Sequence, residues 1–192
     1  MNKAYSENSD QEIIRKILAG ETREYRALVE KYKQFVFAIT VKILNNEEEA
    51  EEAAQDAFIK GFQALRDFSG KSKFTTWLYR IAFNTAISYK RKHRIEVSGL
   101  EDVTYKLGSG YDTSRGLNRE DQIRFIEIGL KRLPKIDAVI LTLFYLKELT
   151  LEEISKITDL KTNAIKVKLF RARKKLADEL KGELSTEAVS LI

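Results

Sequence analysis

"LTLEEISKITDLKTNAIKVKLFRARKKL", residues 149–176, is the stretch whose reading decides the fold. Thr150 stands three residues before Glu153, the spacing of a capping box at a helix start. "TLEEISKITD" reads as one short helix. "TNAIKVKLFRARKKLADELK" reads as another after a turn of three or four residues, the proportions of a helix-turn-helix. In the second helix Ile165, Leu169, Ala172 and Leu176 mark an inward face. At about 100° per residue the opposite face carries Asn163, Val167, Phe170, Arg171 and Lys174. An aromatic on that basic face has no core to enter, whereas a thymine methyl would give Phe170 a partner. From Lys161 to Lys175 there are seven Lys or Arg residues and no acid, enough to neutralise several phosphates. A charge run alone describes a solvated helix; the adjoining short helix, turn and capping box turn the reading towards DNA.

Working outward, the 192 residues carry one proline and nine glycines, which predicts long helices with few breaks. "SDQEIIRKILAG" opens with Ser9 three residues before Glu12, a second capping-box spacing, and Gly20 closes that helix. Tyr25, Leu28, Tyr32, Phe35, Ile39 and Ile43 recur three and four apart along the next helix, which Asn45 and Asn46 break. A helix over about 47–66 turns Ala50, Ala54, Ala57, Phe58, Gly61, Phe62 and Leu65 inward, and its early glutamates suit the positive end of the helix dipole. "RDFSGKSK" is a loop, and "KFTTWLYRIAFNTAISYKRKHR" (73–94) is the helix after it. Residues 95–119 contain four glycines and no sustained periodicity, and read as a flexible linker. Beyond it "DQIRFIEIGLKRL" is helical, and Pro134 suits the first turn of the helix "PKIDAVILTLFYLKEL". The expectation is all-α: a four-helix domain over 1–94, a linker over 95–119 and a helix-turn-helix domain over 120–192.

Composition excludes several chemistries. The sequence has no cysteine and a single histidine, His93, so thiolate sites and paired-histidine metal sites are not expected. Hydrophobic content of 43% suffices for a core, no apolar run approaches the roughly 18 residues of a membrane span, and no secretory signal opens the chain. A cytoplasmic protein follows as the expectation. The acidic stretch Glu47 to Asp56 alternates with alanines at a helix start and has no histidine partner, which describes a solvated or partner-facing surface better than catalytic carboxylates. In the 73–94 helix Asn84 follows Trp77 by seven residues, two turns, so the two share a face. Trp77, Ile81 and Phe83 fit a core, whereas neither Asn84 nor the cations Lys90, Arg91, Lys92 and Arg94 help one; an amide can read a base edge and the cations can follow a backbone.

Four blocks, in order, resemble the extracytoplasmic-function (ECF) sigma factors of bacterial RNA polymerase: "GETREYRALVEKY" (20–32), "EEAAQDAFIKGFQAL" (51–65), "FSGKSKFTTWLYRIAFNTAISYKRK" (68–92) and the opening 149–176 stretch. The resemblance implies an initiation subunit, itself no enzyme and with no cofactor, metal or small-molecule substrate. Its partners would be core RNA polymerase, the −10 and −35 promoter elements and an anti-sigma factor. Glu52, Gln55 and Asp56 match clamp-contacting positions. Phe68, Ser69, Gly70 and Lys71 match the loop that receives a flipped −10 base, and Asn84 matches a residue lining that pocket. Lys166, Val167, Phe170 and Arg171 match −35-reading positions. Family members often carry Gly-Thr-Val-Lys-Ser where this chain has Asn163-Ala164-Ile165-Lys166-Val167; Asn163 is expected to cap the helix or touch phosphate. A stand-alone helix-turn-helix regulator is the competing reading. It would dimerise through an apolar helix, and none is left unassigned.

Overall fold

The computed structural model describes the backbone of residues 3–97 and 129–190, with side chains over 9–93 and 129–180. All regular structure among the described residues is helical. The first bundle holds α1 (Lys3–Leu18), α2 (Tyr25–Leu44), α3 (Glu47–Gln63) and α4 (Phe74–Val97). The second holds the helical stretch 129–132, α5 (Lys135–Leu141) with a wide turn at Thr142–Leu146, α6 (Leu151–Thr158) and α7 (Thr162–Ser190).

α2 is the spine of the first bundle. Leu28, Tyr32, Phe35, Ile39 and Ile43 are buried along it, the spacing the sequence predicts, together with Val36, while Tyr25 is half-buried. Asn45 adopts φ 60° and ends the helix, and its N–H bonds the Val41 carbonyl at 2.8 Å. Asn46 then caps α3 by accepting the Glu49 N–H at 3.2 Å, so two adjacent asparagines turn the chain and pair one end group of each helix. On α3 the buried positions are small: Ala50, Ala53, Ala54, Ala57 and Gly61 accompany Phe58. Small side chains let α3 approach its neighbours closely. A Cβ on Gly61 would lie 3.0 Å from the Tyr25 hydroxyl and 3.5 Å from Leu78 Cδ1. The same hydroxyl donates to the Phe58 carbonyl at 2.7 Å, and burial pushes its pKa up.

Several expectations need correction. Ser9 does not cap a helix: α1 starts at Lys3 and carries Ser9 in its interior, because no glycine or proline lies upstream to stop it. Asp10 beside it is 3% exposed and accepts hydrogen bonds from Tyr32 and Lys31, pinning α1 to α2. Phe62 is not inward; it is 39% exposed and meets the Tyr25 ring edge-on at 5.0 Å, and Ala53, not expected inside, is buried. Pro134 sits at the N-cap of α5 rather than inside its first turn. The single helix expected from Pro134 widens at Thr142, and Glu148 at φ 49° turns Leu149 back to bond the Leu143 carbonyl. The expected linker begins at 95, yet α4 runs to Val97; the rest of it, and most of the helix expected over 121–133, lie outside the described residues.

The helix-turn-helix is as the sequence predicts. Thr150 Oγ1 accepts the Glu153 N–H at 3.2 Å, and the Glu153 carboxylate accepts the Thr150 N–H at 2.9 Å. Asp159 at φ 60° ends α6, and α7 begins after a three-residue turn, residues 159–161. Ile154, Ile157, Ile165, Leu169 and Ala172 are buried with Val139, Ile140 and Leu143 of the preceding segment. Lys168 reaches back to Asp137 at 2.9 Å, tying α7 to α5.

The two bundles touch. α6 packs on α4 and α5 on α2, and the buried apolar cluster is continuous through both. Lys147 Nζ lies 4.2 Å from the centre of the Phe35 ring, and Lys73 pairs with Glu153 at 3.3 Å.

Leu78 is fully buried where α4 meets α3. Leu78→Ala is expected to cost about 2–5 kcal/mol of unfolding free energy, whereas Ile59→Ala, at a site 54% exposed, should stay within about 0.5 kcal/mol. Urea midpoints of the two variants check this, and equal losses would mean that α4 is not packed as described.

Candidate polymerase and nucleic-acid interfaces

Three surfaces carry the residues singled out in the sequence. The first is the acidic flank of α3. Glu52 and Gln55 are exposed, while Asp56 is half-buried because Tyr89 of α4 holds it with a 2.8 Å hydrogen bond. That bond, with burial and the charges of Asp56 and Glu52, pushes the Tyr89 hydroxyl up to about 12, so it stays a donor at neutral pH. Tyr89 is a supporting residue the sequence reading missed: it lies 33 residues from Asp56, and only the packing of α4 on α3 brings them together. The flank presents fixed acceptors with no basic side chain of its own at Glu52, Gln55 or Asp56, which suits a basic partner surface.

The second surface surrounds Asn84, which is exposed on α4. It lines an open concavity of about 280 Å³ with Lys60 of α3, Ala64 just past its end, and Ile81, Thr85 and Ser88 of α4. Lys60 Nζ donates to Thr85 Oγ1 at 3.5 Å, and the Ser88 hydroxyl donates to the Asn84 carbonyl at 2.9 Å. Lys60, Ala64, Thr85 and Ser88 were not expected here. Their signal was nevertheless present: positions 81, 84, 85 and 88 follow the spacing of one helix face, and 60 and 64 are one turn apart.

Phe68, Ser69, Gly70 and Lys71 do not share that concavity. Phe68 and Gly70 line a neighbouring one of about 190 Å³ with Asp10, Gln11, Ser72, Lys73, Phe74 and Thr75. Phe68 is half-buried and packs against Trp77 and Phe74 at centroid distances of 5.3 and 5.8 Å. These three rings hold the loop to the helix, and Trp77, expected in the core, is half-buried at its edge. Ser69, Gly70 and Lys71 are exposed, and Gly70 at φ 68° makes the left-handed turn that a side chain would strain. Lys90, Arg91 and Lys92 are exposed at the far end of α4; the Arg94 side chain lies outside the described ones.

The third surface is α7. Val167 is 48% and Phe170 67% exposed, against 0% for Ile165, 3% for Leu169 and 1% for Ala172. Asn163, Lys166, Arg171 and Lys174 are exposed on the same outer side. Asn163 is inside the first turn rather than at its cap, because the helix begins at Thr162. Lys168 differs from its cationic neighbours in being tied inward to Asp137.

Among the described residues no group of three or more His, Asp or Glu side chains is placed to hold a metal, and no helix is long and apolar enough to cross a membrane.

Comparison with known proteins agrees with this layout. Residues 28–95 match the Sigma-70 region 2 family and residues 129–176 the Sigma-70, region 4 family. The chain is 30% identical over 180 residues to the ECF RNA polymerase sigma factor SigW of Bacillus subtilis, covering 88% of this chain and 95% of that one. It is 29% identical over 178 residues to the RNA polymerase sigma-H factor of Pseudomonas aeruginosa, covering 88% and 92%. The fold is similar to that of the sigma factor RpoE of Bartonella quintana, solved in complex with the anti-sigma factor NepR, with a TM-score of 0.68, 20% identity and coverage of 83% and 98%. With the region 2 match on the first bundle and the region 4 match on the second, the chain belongs to the sigma-70 family, as an ECF sigma factor, the group that directs RNA polymerase to promoters.

Proposed function

We propose that this sigma factor divides its work among the three surfaces, with residues 1–94 and 120–192 acting as separate reading domains. The acidic flank of α3, Glu52, Gln55 and Asp56, engages core polymerase. The α4 concavity around Asn84, with the loop Phe68–Lys71 beside it, takes the −10 element as a single strand. The outer face of α7, Asn163, Lys166, Val167, Phe170, Arg171 and Lys174, reads the −35 duplex. The observation that carries this reading is the 67% exposure of Phe170 on a basic helix whose opposite side is fully buried. An apolar ring left in water by its own fold is a contact awaiting a partner, and base methyls and sugars in a major groove supply one.

The Asn84 concavity supports the −10 role by its chemistry. Asn84 offers an amide to a base edge, Ile81 an apolar wall, and Lys60 a cation at the rim for a phosphate. A base turned out of its stack costs a few kcal/mol, which such contacts repay. The loop adds the Lys71 cation and a glycine turn that lets backbone approach closely. The protein acts in the cytoplasm, without cofactor and without catalysing a reaction itself. An anti-sigma factor is its proposed further partner, the class of protein bound by the Bartonella quintana RpoE.

Three outcomes test these assignments. Glu52→Lys with Asp56→Asn should weaken binding to core polymerase by at least about 2 kcal/mol, because like charge is brought against a complementary surface. Asp56→Asn keeps an acceptor for Tyr89, so the melting temperature should hold, and undiminished co-purification with core enzyme would remove the flank from the interface. Phe170→Ala and Arg171→Ala should each lose about 1–3 kcal/mol of −35 recognition at unchanged thermal stability. Transcription from promoters with −35 substitutions is the readout, and a loss that a pre-melted −10 region restores would count against the assignment. Asn84→Ala should change base preference at one −10 position while sparing polymerase binding. A uniform fall across all promoters, with a lower melting temperature, would make Asn84 structural instead.

A further inference from the structure

Val167 and Phe170 lie one turn apart on the outer face of α7, 48% and 67% exposed. Ile165 and Leu169, on the far side of the same helix, are buried. The rest of that outer face is polar. Asn163, Lys166, Arg171 and Lys174 are exposed around the two apolar side chains, and residues 161–175 hold seven Lys or Arg and no acid. Such a frame of cations suits a polyanion, so the apolar pair inside it meets whatever the polyanion presents between its phosphates. Helix formation does not account for the valine, since a β-branched residue forms helix less readily than alanine or lysine. What it supplies is a pair of methyls on a side chain that keeps one rotamer in a helix and so loses little freedom on contact.

We propose that Val167 and Phe170 form a methyl reader, each binding the C5-methyl of a thymine on one of two neighbouring base pairs of the −35 element, so that this chain selects those positions by methyl contact rather than by hydrogen bond.

This rests on the −35 assignment of α7 and deepens it by naming the base feature that is read. In the major groove thymine is marked by its C5-methyl, whereas cytosine lacks the methyl and presents an amino donor. An apolar side chain gains by taking the methyl out of water. Set against cytosine, it would instead shut an amino group from water with no acceptor, at a cost. Val167 thus selects by attraction and by exclusion together. The spacing fits two bases. Three residues advance a helix by about 4.5 Å and set the Cβ atoms about 5–6 Å apart. Base pairs succeed one another at about 3.4 Å, so side chains so placed reach from one pair to its neighbour. Lys166 and Arg171, beside them, are free to take phosphates or guanine edges on either side.

The test uses the full chain with core polymerase. A promoter library randomised at both elements is transcribed, and the best templates are recovered. Thymines in the recovered −35 elements are then replaced one at a time by deoxyuridine, which lacks only the methyl. Two neighbouring positions should each lose about fourfold in transcription, the effect of returning one methyl to water. Val167→Ser should abolish the loss at one of them and Phe170→Ala at the other. Where cytosine replaces either thymine, 5-methylcytosine should recover part of the lost output. Each variant is compared with itself on paired templates, so any change in the amount of folded protein cancels. Equal output from thymine and deoxyuridine at every −35 position, with other −35 substitutions still harmful, would overturn the methyl reader and leave the −35 assignment standing. Output indifferent to the −35 sequence altogether would remove that assignment, and the reader with it. A deoxyuridine loss that survives Val167→Ser at both positions would take Val167 out of the reader.

Discussion

Burial of α4 on more than one side is the constraint on which the rest depends. Its Leu78, Tyr79, Ala82, Phe83 and Ala86 are buried, and the helix packs against α2 and α3 within its own bundle and α6 across the bundle boundary. A helix with so little free perimeter can expose few side chains, and those it does expose are placed with precision by the packing behind them. Asn84 is one of them. Its neighbours Ala82, Phe83, Thr85 and Ala86 are all buried, so the amide is held at the surface by residues that cannot follow it outward. The same packing brings Tyr89 against Asp56 and so orients the acidic flank of α3.

Helix ends do comparable work. Asn45 and Asn46 turn the chain between α2 and α3 by pairing a left-handed residue with a side-chain cap. Thr150 and Glu153 start α6, and Asp159 stops it three residues before α7 begins. These few residues fix the angle at which α7 leaves the bundle, and with it the direction in which Phe170 and Arg171 point. Glu153 does this while also meeting Lys73, so one carboxylate joins the local geometry of the helix-turn-helix to the arrangement of the whole chain.

Much of this was legible in the residues. Helical periodicity identified the buried faces of α2 and α7, because a helix that must hide one side announces it every three or four positions. The capping box at Thr150 was legible for the same local reason. The capping box at Ser9 looked equally good and does not form: spacing shows that a cap can be made, while the extension of α1 upstream removes the need for one. The inward place expected for Phe62 failed because the ring instead packs edge-on against Tyr25 at the surface, a contact between helices that spacing along α3 does not show.

By itself, the sequence determined the all-helical class, the buried faces of α2 and α7, and the residues on α7 that remain in water, since all of these follow from local spacing and chemistry. Only the tertiary structure decided which distant residues meet. It put Asn84 with Lys60 and Ala64 rather than with the Phe68–Lys71 loop, and it locked Phe68 into a ring cluster with Phe74 and Trp77. It also set Glu153 on Lys73, 80 residues away in the chain. Spacing along one helix carries no information about which other helix will lie against it; that is settled by how side-chain volumes interlock once the helices pack.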